Sequence, residues 1–223
     1  KKLLFWMVLI VGIVALIGSC AKKDDDTTAT TDNATTTAVT FTSTTTASGS
    51  ITVGSVAMSG TYVSGCNTSG VAAAVSGGYF PSDVVANRDV IVVEGSDNVS
   101  EESHFYTDTS CSTLSVYLKN GNDNFTVGDQ SGDYYKVTYQ EKRFKIKADT
   151  AVAEAYYENH FSTNNITNEG TAVDLVVGTE YSMGGSGSSY MNLFSVTSTQ
   201  VQKGEGSTSS QPTAMDSLEM AKQ

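Results

Sequence analysis

Few residues in this 223-residue chain are of types that do chemistry: three cysteines, two histidines (His104 and His160) and one glycine-serine cluster. Nucleophilic catalysis needs a base beside Ser or Cys and donors for an oxyanion. The cluster Gly184-Gly185-Ser186-Gly187-Ser188-Ser189 misses the G-x-S-x-G elbow spacing. It also departs from the phosphate-cradling G-x-G-x-x-G, and no helix pattern follows it. It reads as a flexible loop between strands, and the expectation is that the chain is not an enzyme and carries no cofactor.

The stretch NGNDNFTVGDQSGD (residues 120–133) places Asp123, Asp129 and Asp133 where they could offer hard oxygen ligands to calcium. Calcium sites of that glycine-rich kind are built from stacked repeats, and only one degraded copy is present. A hairpin turn accounts for the same Gly, Asn and Asp residues, so no metal is expected.

The cysteines carry more. Lys1 and Lys2 precede an apolar run from Leu3 to Ile17 that is too short to cross a bilayer core as a helix. A charged start, a short apolar middle and small residues at the end make a secretory signal. Its ending, Ile17-Gly18-Ser19-Cys20, resembles the lipobox of bacterial lipoproteins, although Ile17 is less usual than Leu at its place. The resemblance implies cleavage before Cys20 and a diacylglycerol on its thiol. Two or more acyl chains give stable anchoring, each buried methylene contributing about 0.8 kcal/mol. Ala21 after the cysteine points to the outer membrane by the enteric sorting rule. The expected location is the cell envelope, outside the cytoplasm.

Setting Cys20 aside leaves Cys66 and Cys111 in an exported chain, where an even remainder points to one disulfide. Two free thiols or a metal pair are the alternatives, but there is no CxxC and too few histidines for a zinc site. The formal charge of −11 becomes about −13 once Lys1 and Lys2 are removed with the signal. That acidity argues against nucleic-acid or anionic-lipid binding.

From Ala21 to Ser50 the composition is Thr, Ser, Ala and Asp, with Val39 and Phe41 the only sizeable apolar side chains. Such a segment cannot offset its ordering entropy, so residues 20–50 read as a lipidated cysteine and disordered tether after a signal at 1–19. Residues 51–223 are long enough for one domain with a real core.

That domain is rich in short β-type runs bounded by Gly, Asn, Asp and Ser: ITVGSVAM, GTYVSG, DVIVVEG, SHFYTD, TLSVYLK, NFTVG, DYYKVTYQE, RFKIKA, TAVDLVV, SMGG–SYMNLF and SVTSTQVQ. Alternation is clearest where Tyr135, Val137 and Tyr139 share a face, repeated by Phe144 and Ile146 on what reads as the next strand. Asn120-Gly121 signals a hairpin. Thr150–His160 reads as a short helix with Val152, Ala155 and Tyr156 on one face. The end, QPTAMDSLEMAKQ, reads as a second short helix after Pro212 or as a fraying tail. The expected fold is all-β: an antiparallel barrel of about eight strands with one or two short helices, the runner-up being a β-sandwich.

Several segments in order, GTYVSGC, HFYTDTSC, YYKVTYQEKRFKI, AVAEAYYENHF, AVDLVVG and GSTSSQPTAMDSLEMAK, resemble a group of bacterial lipoproteins with a lipocalin-like barrel, mostly of uncharacterised function. The resemblance implies a bridged pair at Cys66 and Cys111, the latter in Tyr106-x-Asp108-x-x-Cys111. It also implies an Arg-Pro-Thr-x-x-Asp ending, for which this chain has Gln211-Pro212-Thr213 and Asp216. A further Cys-Gly and Trp are absent, the chain running His160-Phe161-Ser162-Thr163. Two functions remain: a carrier of a small apolar ligand in a hollow barrel that Tyr134, Tyr135, Tyr139, Tyr156 and Tyr157 could line, or a structural or protein-interaction lipoprotein whose barrel is filled. The state of the barrel interior discriminates them.

Overall fold

A computed structural model describes residues 41–223 of the chain. In chain order the elements are β1 (Ile51–Val53), β2 (Val56–Met58), β3 (Thr61–Ser64), α1 (Val71–Ser76), β4 (Ala86–Val93), β5 (Val99–Tyr106), β6 (Leu114–Ser131), β7 (Tyr134–Ala148), α2 (Ala151–Asn164), β8 (Thr167–Asn168), β9 (Thr171–Ala172), β10 (Glu180–Gly184), β11 (Ser189–Val196), β12 (Gln200–Gly204) and β13 (Met215–Lys222). Eight antiparallel strands close a barrel in the ring β3-β4-β5-β6-β7-β11-β12-β13, with β13 pairing back to β3. Each strand neighbours the next in the chain, so the barrel is a simple meander. β10 lies outside the ring, paired to β7.

The tail is a strand, not a helix or a frayed end. Met220, Ala221 and Lys222 of β13 pair with Ser64, Val63 and Tyr62 of β3, and Met220 is fully buried. Without β13, both β12 and β3 would be left as open edges, and satisfying two ladders outweighs local helix propensity.

Two hairpins expected from the sequence, one of them from the Asn120-Gly121 turn signal, are instead single long strands. Asn120-Gly121 lies inside β6, joining TLSVYLK to NFTVG. Gly121 sits beneath Arg143, whose Nε would lie 2.6 Å from any added Cβ, so the glycine serves close packing rather than a turn. DYYKVTYQE and RFKIKA likewise form one strand. The β6–β7 register advances by Gly121 to Asn122 on one side and by Arg143 to Glu141 on the other, a β-bulge that carries one extra residue. The bulge explains why buried positions change parity along β7, from Val137 and Tyr139 to Phe144, Ile146 and Ala148.

At this bulge β7 changes partners. Residues 135–140 pair with β11 and residues 143–147 with β10. The glycine-serine loop between those two strands folds onto it: Gly185 N–H donates to the Lys142 carbonyl (2.9 Å) and Gly187 N–H to that of Glu141 (2.9 Å). A Cβ on Gly185 would lie 2.5 Å from the Lys142 carbonyl carbon.

Two apolar clusters fill the inner face. One draws on all eight barrel strands, including Tyr62, Ile91, Val99, Phe125, Tyr139, Phe194, Val201 and Met220. Ile51, Val53 and Met58 of the β1–β2 hairpin close it. The other joins Phe105, Val116, Phe144 and Ile146 to α1 and α2. α2 starts at Thr150, whose side chain caps the Ala153 N–H (3.1 Å). The helix buries Ala153, Tyr157 and Phe161, while Val152 is 43% exposed, so its inner face is rotated one residue from the Val152–Ala155–Tyr156 expectation. The expected strand TAVDLVV retains only Thr171–Ala172 as strand. Leu175 follows them as a core residue in an irregular segment, its N–H donating to Glu158 Oε1 (3.0 Å).

Cys66 and Cys111 are joined in a disulfide with 5.8 Å between Cα atoms. Asp108 builds the turn that presents Cys111: its carboxylate accepts from the N–H groups of Ser110 (2.9 Å), Ser112 (3.2 Å) and Thr113 (2.6 Å). The Ser110 hydroxyl and these amides hold the Asp108 carboxyl well below the usual carboxylate range. The bridge closes a loop over a sequence separation of 45 residues. Replacing both cysteines by serine is therefore expected to cost about 4 kcal/mol on the chain-entropy account, read as a lower urea midpoint. Gly185→Val is expected to cost about 1–3 kcal/mol by the same measurement, because its side chain would collide with backbone that cannot move aside. Wild-type stability in either variant would contradict the corresponding account.

Candidate functional site

Between the two apolar clusters the inner face turns polar. Cross-strand pairing places Asp89 opposite Ser103, Glu101 opposite Asn120, and Asn122 opposite Glu141. From the other side of the ring come Asn192 of β11 and Lys203 of β12, and Lys203 forms an ion pair with Glu101 Oε2. Asp89, Glu101, Ser103, Asn120, Asn192 and Lys203 line a cavity of about 70 Å³ whose walls also include Ile91, Leu118, Tyr139 and Met220. Its rim is Gly204, Glu205 and Gly206, where β12 leaves the ladder.

The segment 205–214 then folds across β11, through the Ser207–Met191 backbone pair (2.8 and 2.9 Å) and a bond from Gln211 Nε2 to the Asn192 carbonyl (2.6 Å). The rim is closely packed, and at Gly204 only glycine fits without a backbone shift. A Cβ on Gly204 would meet the Ala214 carbonyl oxygen at 2.8 Å, and one on Gly206 would meet the Tyr139 hydroxyl at 3.2 Å.

The belt is electrostatically negative. Burial, then the Glu101 charge, push the Tyr139 phenol well above its ordinary value. Burial and the charges of Glu141 and Glu101 raise Tyr190, which stacks on Tyr139 with ring centroids 5.6 Å apart. Burial also raises Glu141, against the Ser186 N–H that donates to its Oε1 (3.0 Å).

On the outer face of the same strands lies a second buried polar group. Residues 41–48, which composition assigned to the tether, lie along β4 and β5. Phe41 and Ala47 pack on Val63, Val90 and Val92, and the Ser48 N–H donates to the Val93 carbonyl (2.9 Å). The anchor of this strap is Glu102, 1% exposed. Its Oε1 accepts from the hydroxyls of Ser43 (2.9 Å), Thr44 (3.4 Å) and Thr45, and its Oε2 meets His104 Nε2 at 2.7 Å. Phe41 meets the His104 ring edge-on at 5.0 Å, and His104 stacks on Tyr117 at 5.5 Å. The pair is sealed from solvent, which gives His104 a structural role.

Of the residues singled out from sequence, Cys20 lies outside those described, and Cys66 and Cys111 form the bridge. Asp123 of β6 pairs with Arg143 of β7 (2.8 Å), and Asp129 also belongs to β6. Asp133 falls in the β6–β7 turn. Among the described residues no three or more His, Cys, Asp or Glu side chains are gathered for a metal. Tyr139 lines the cavity, Tyr135 packs at the edge of the inner cluster, and Tyr156 and Tyr157 lie on α2. Tyr134 is half-buried at the start of β7. The Glu101–Lys203 belt and the Glu102 strap were not anticipated. Their signal was a charged residue on each face of one strand, Ser100-Glu101-Glu102-Ser103, which two-faced alternation does not accommodate.

No protein-family model matches the chain, and no curated protein is significantly similar to it. The barrel and its interior therefore carry the functional argument.

Burial alone raises the Glu102 carboxyl; hydrogen bonds from His104, Thr45 and Ser43 outweigh it and hold the pKa below the ordinary 4.5. Its contribution to stability is thus complete above that value and is lost as pH falls through the lower folded pKa. The Ser48 amide should exchange faster with solvent as the pH falls well below the ordinary carboxylate range, after correction for intrinsic rates. Thr45→Val should produce the same loss of protection at neutral pH, at a cost of about 1–3 kcal/mol. Unchanged Ser48 protection in both experiments would show that Glu102 does not hold the strap.

Proposed function

We propose that this chain is an extracytoplasmic lipoprotein, held to a membrane of the cell envelope through Cys20, whose barrel is a packed scaffold for envelope interactions. The observation that carries the choice of scaffold over carrier is the barrel interior. Pockets for drug-sized ligands run to about 300–1,000 Å³. Here the inner face is filled by Tyr62, Phe125, Tyr139, Phe194 and Met220, and the cavity at the polar belt is only about 70 Å³, with polar and apolar walls. Both ends are covered, one by the β1–β2 hairpin and the other by α1 and α2. An apolar ligand would have to displace core side chains.

The lipid anchor rests on the sequence Ile17-Gly18-Ser19-Cys20 after a charged and apolar start. The strap supports the scaffold reading from another side. Residues 41–48 are bound to the barrel by hydroxyl groups and by Phe41, so the chain leading from Cys20 reaches the barrel as a docked segment. Such an arrangement sets the face of the barrel at which the chain from Cys20 arrives, which suits a structural or interaction protein.

The test combines fractionation with native mass spectrometry of the full chain from its own host. Cys20→Ala should move the protein from the membrane fraction to the soluble one. The wild-type chain should fly with the mass of polypeptide plus anchor lipid alone. Retention of the variant in membranes would remove the lipid anchor from the reading. A further apolar molecule lost only on denaturation would restore the carrier.

A further inference from the structure

Among the described residues the exposed large apolar side chains are four valines, Val85, Val152, Val176 and Val177, from 40% to 53% exposed. All four lie at one end of the barrel. β4 starts and β5 ends there, with Ala86 opposite Tyr106, and β7 ends there with Ala148 opposite Val116. Val85 precedes β4, and its N–H donates to the Tyr106 carbonyl (2.8 Å). Val152 stands in the first turn of α2, which follows β7. Val176 and Val177 precede β10, and the Gly178 N–H next to them donates to the Ala148 carbonyl (2.7 Å). The Thr150 hydroxyl donates to Asp83 Oδ2 (2.7 Å), which ties the segment before β4 to the start of α2. Three separate stretches of chain thus bring their exposed valines to the end that carries the helices.

Single exposed valines are ordinary; this cluster gains meaning from where the strap leads. Ser48 is bridged in parallel to Glu94, just beyond the far end of β4. Thr45 bonds Glu102, which lies opposite Val90, and Phe41 meets His104, which lies opposite Arg88. From Ser48 back to Phe41 the strap therefore runs toward Ala86 and the valine end. Cys20 precedes Phe41 by 21 residues, a reach of at most about 75 Å. A lipid on Cys20 keeps the barrel within that distance of a membrane, where even weak apolar contacts become an intramolecular step. Charge narrows the kind of lipid. Glu154 and the exposed Asp174 are close to the valines in sequence, while Lys145 and Lys147 at this end are paired with Glu180 and Asp149. Anionic headgroups would be repelled there, and zwitterionic ones would not.

We propose that the helix-bearing end of the barrel is its membrane-facing end, with Val85, Val152, Val176 and Val177 resting in the interface of a zwitterionic lipid layer. The opposite end, closed by the β1–β2 hairpin, points away from the membrane. The strap sets this orientation: held along β4 and β5 by Glu102, it delivers the chain to the valine end and not to the hairpin end. The inference rests on the lipid anchor and deepens the scaffold reading.

The test uses the lipidated chain from its own host, reconstituted in phosphatidylcholine vesicles with brominated acyl chains, and a tryptophan introduced at either end. Val176→Trp marks the valine end, and Thr52→Trp marks an exposed position of the β1–β2 hairpin. The unsubstituted chain, whose one tryptophan is Trp6 in the signal, supplies the background. Fluorescence of V176W should be quenched at least about twofold more than that of T52W. Adding Val85→Ser and Val152→Ser should shrink that difference, and both positions are exposed, so the core is kept. Phosphatidylglycerol vesicles should shrink it too, and an undiminished difference there would overturn the zwitterionic assignment. Equal quenching at both ends, or none, in a chain whose mass includes the lipid would overturn the orientation and leave the anchor standing. A chain of bare polypeptide mass would remove the anchor and the orientation with it. A concentration-dependent blue shift of V176W without quenching would assign the valines to a second copy and overturn the proposal as well.

Discussion

Closure of the sheet is the constraint from which the other features follow. Once Met220, Ala221 and Lys222 pair with β3, every strand of the ring has two neighbours, and each residue is committed to an inside or an outside. A closed ring of eight strands leaves an interior just wide enough for side chains to fill. This chain fills it with rings: Phe125 against Phe194 at 5.3 Å, and Tyr139 stacked on both Phe125 and Tyr190. Closure also forces long strands to coil. The bulge at Glu141–Arg143 is where β7 bends, changes its partner from β11 to β10, and turns its even-numbered residues inward. Gly185 is fixed by that bend, because only a residue without a side chain can approach Lys142 so closely.

The sequence showed the fold class through alternation, and the reason is local. Tyr135, Val137 and Tyr139 need only their own spacing to declare a face. The expected hairpin at Asn120-Gly121 arose where a long-range contact uses a turn residue for something else, and the one within β7 arose from the parity change at its bulge. Gly121 makes room for Arg143, and nothing within β6 distinguishes that from a turn. The tail was misread for a similar reason. MDSLEMAK has good helix formers, and only β3, about 150 residues earlier in the chain, makes it a strand. The helix α2 is legible from the spacing of Val152, Ala155 and Tyr156, but its inner face lies one residue on because Tyr157 and Phe161 outweigh Val152.

The polar groups were hidden more deeply. Thr and Ser hydroxyls in residues 43–45 have no hydrophobic signal, so composition places them in a tether. Their order comes from a single carboxylate some 60 residues away, buried by its own ligands. Glu102 and its strap are mutually dependent: the carboxylate is tolerable in the protein because three hydroxyls and His104 satisfy it, and the hydroxyls are held because the carboxylate is there. Neither half is legible alone.

Glu101 and Glu102 are neighbours in the chain and opposites in surroundings, and the contrast decides where ligand chemistry can reside. Glu102 faces outward, yet both of its oxygens are occupied by the protein itself. It is a finished structural node with no valence left to offer. Glu101 faces inward, its Oε2 paired with Lys203 and its carboxylate beside the Tyr139 hydroxyl. In a core otherwise packed with Tyr, Phe, Met and Val, a charged pair and two asparagine side chains, Asn120 and Asn192, cost stability that apolar residues of similar size would not. A filled scaffold has no need of them. Their presence at one level of the barrel, around a small cavity, is therefore the feature of this fold that a purely structural role leaves unexplained.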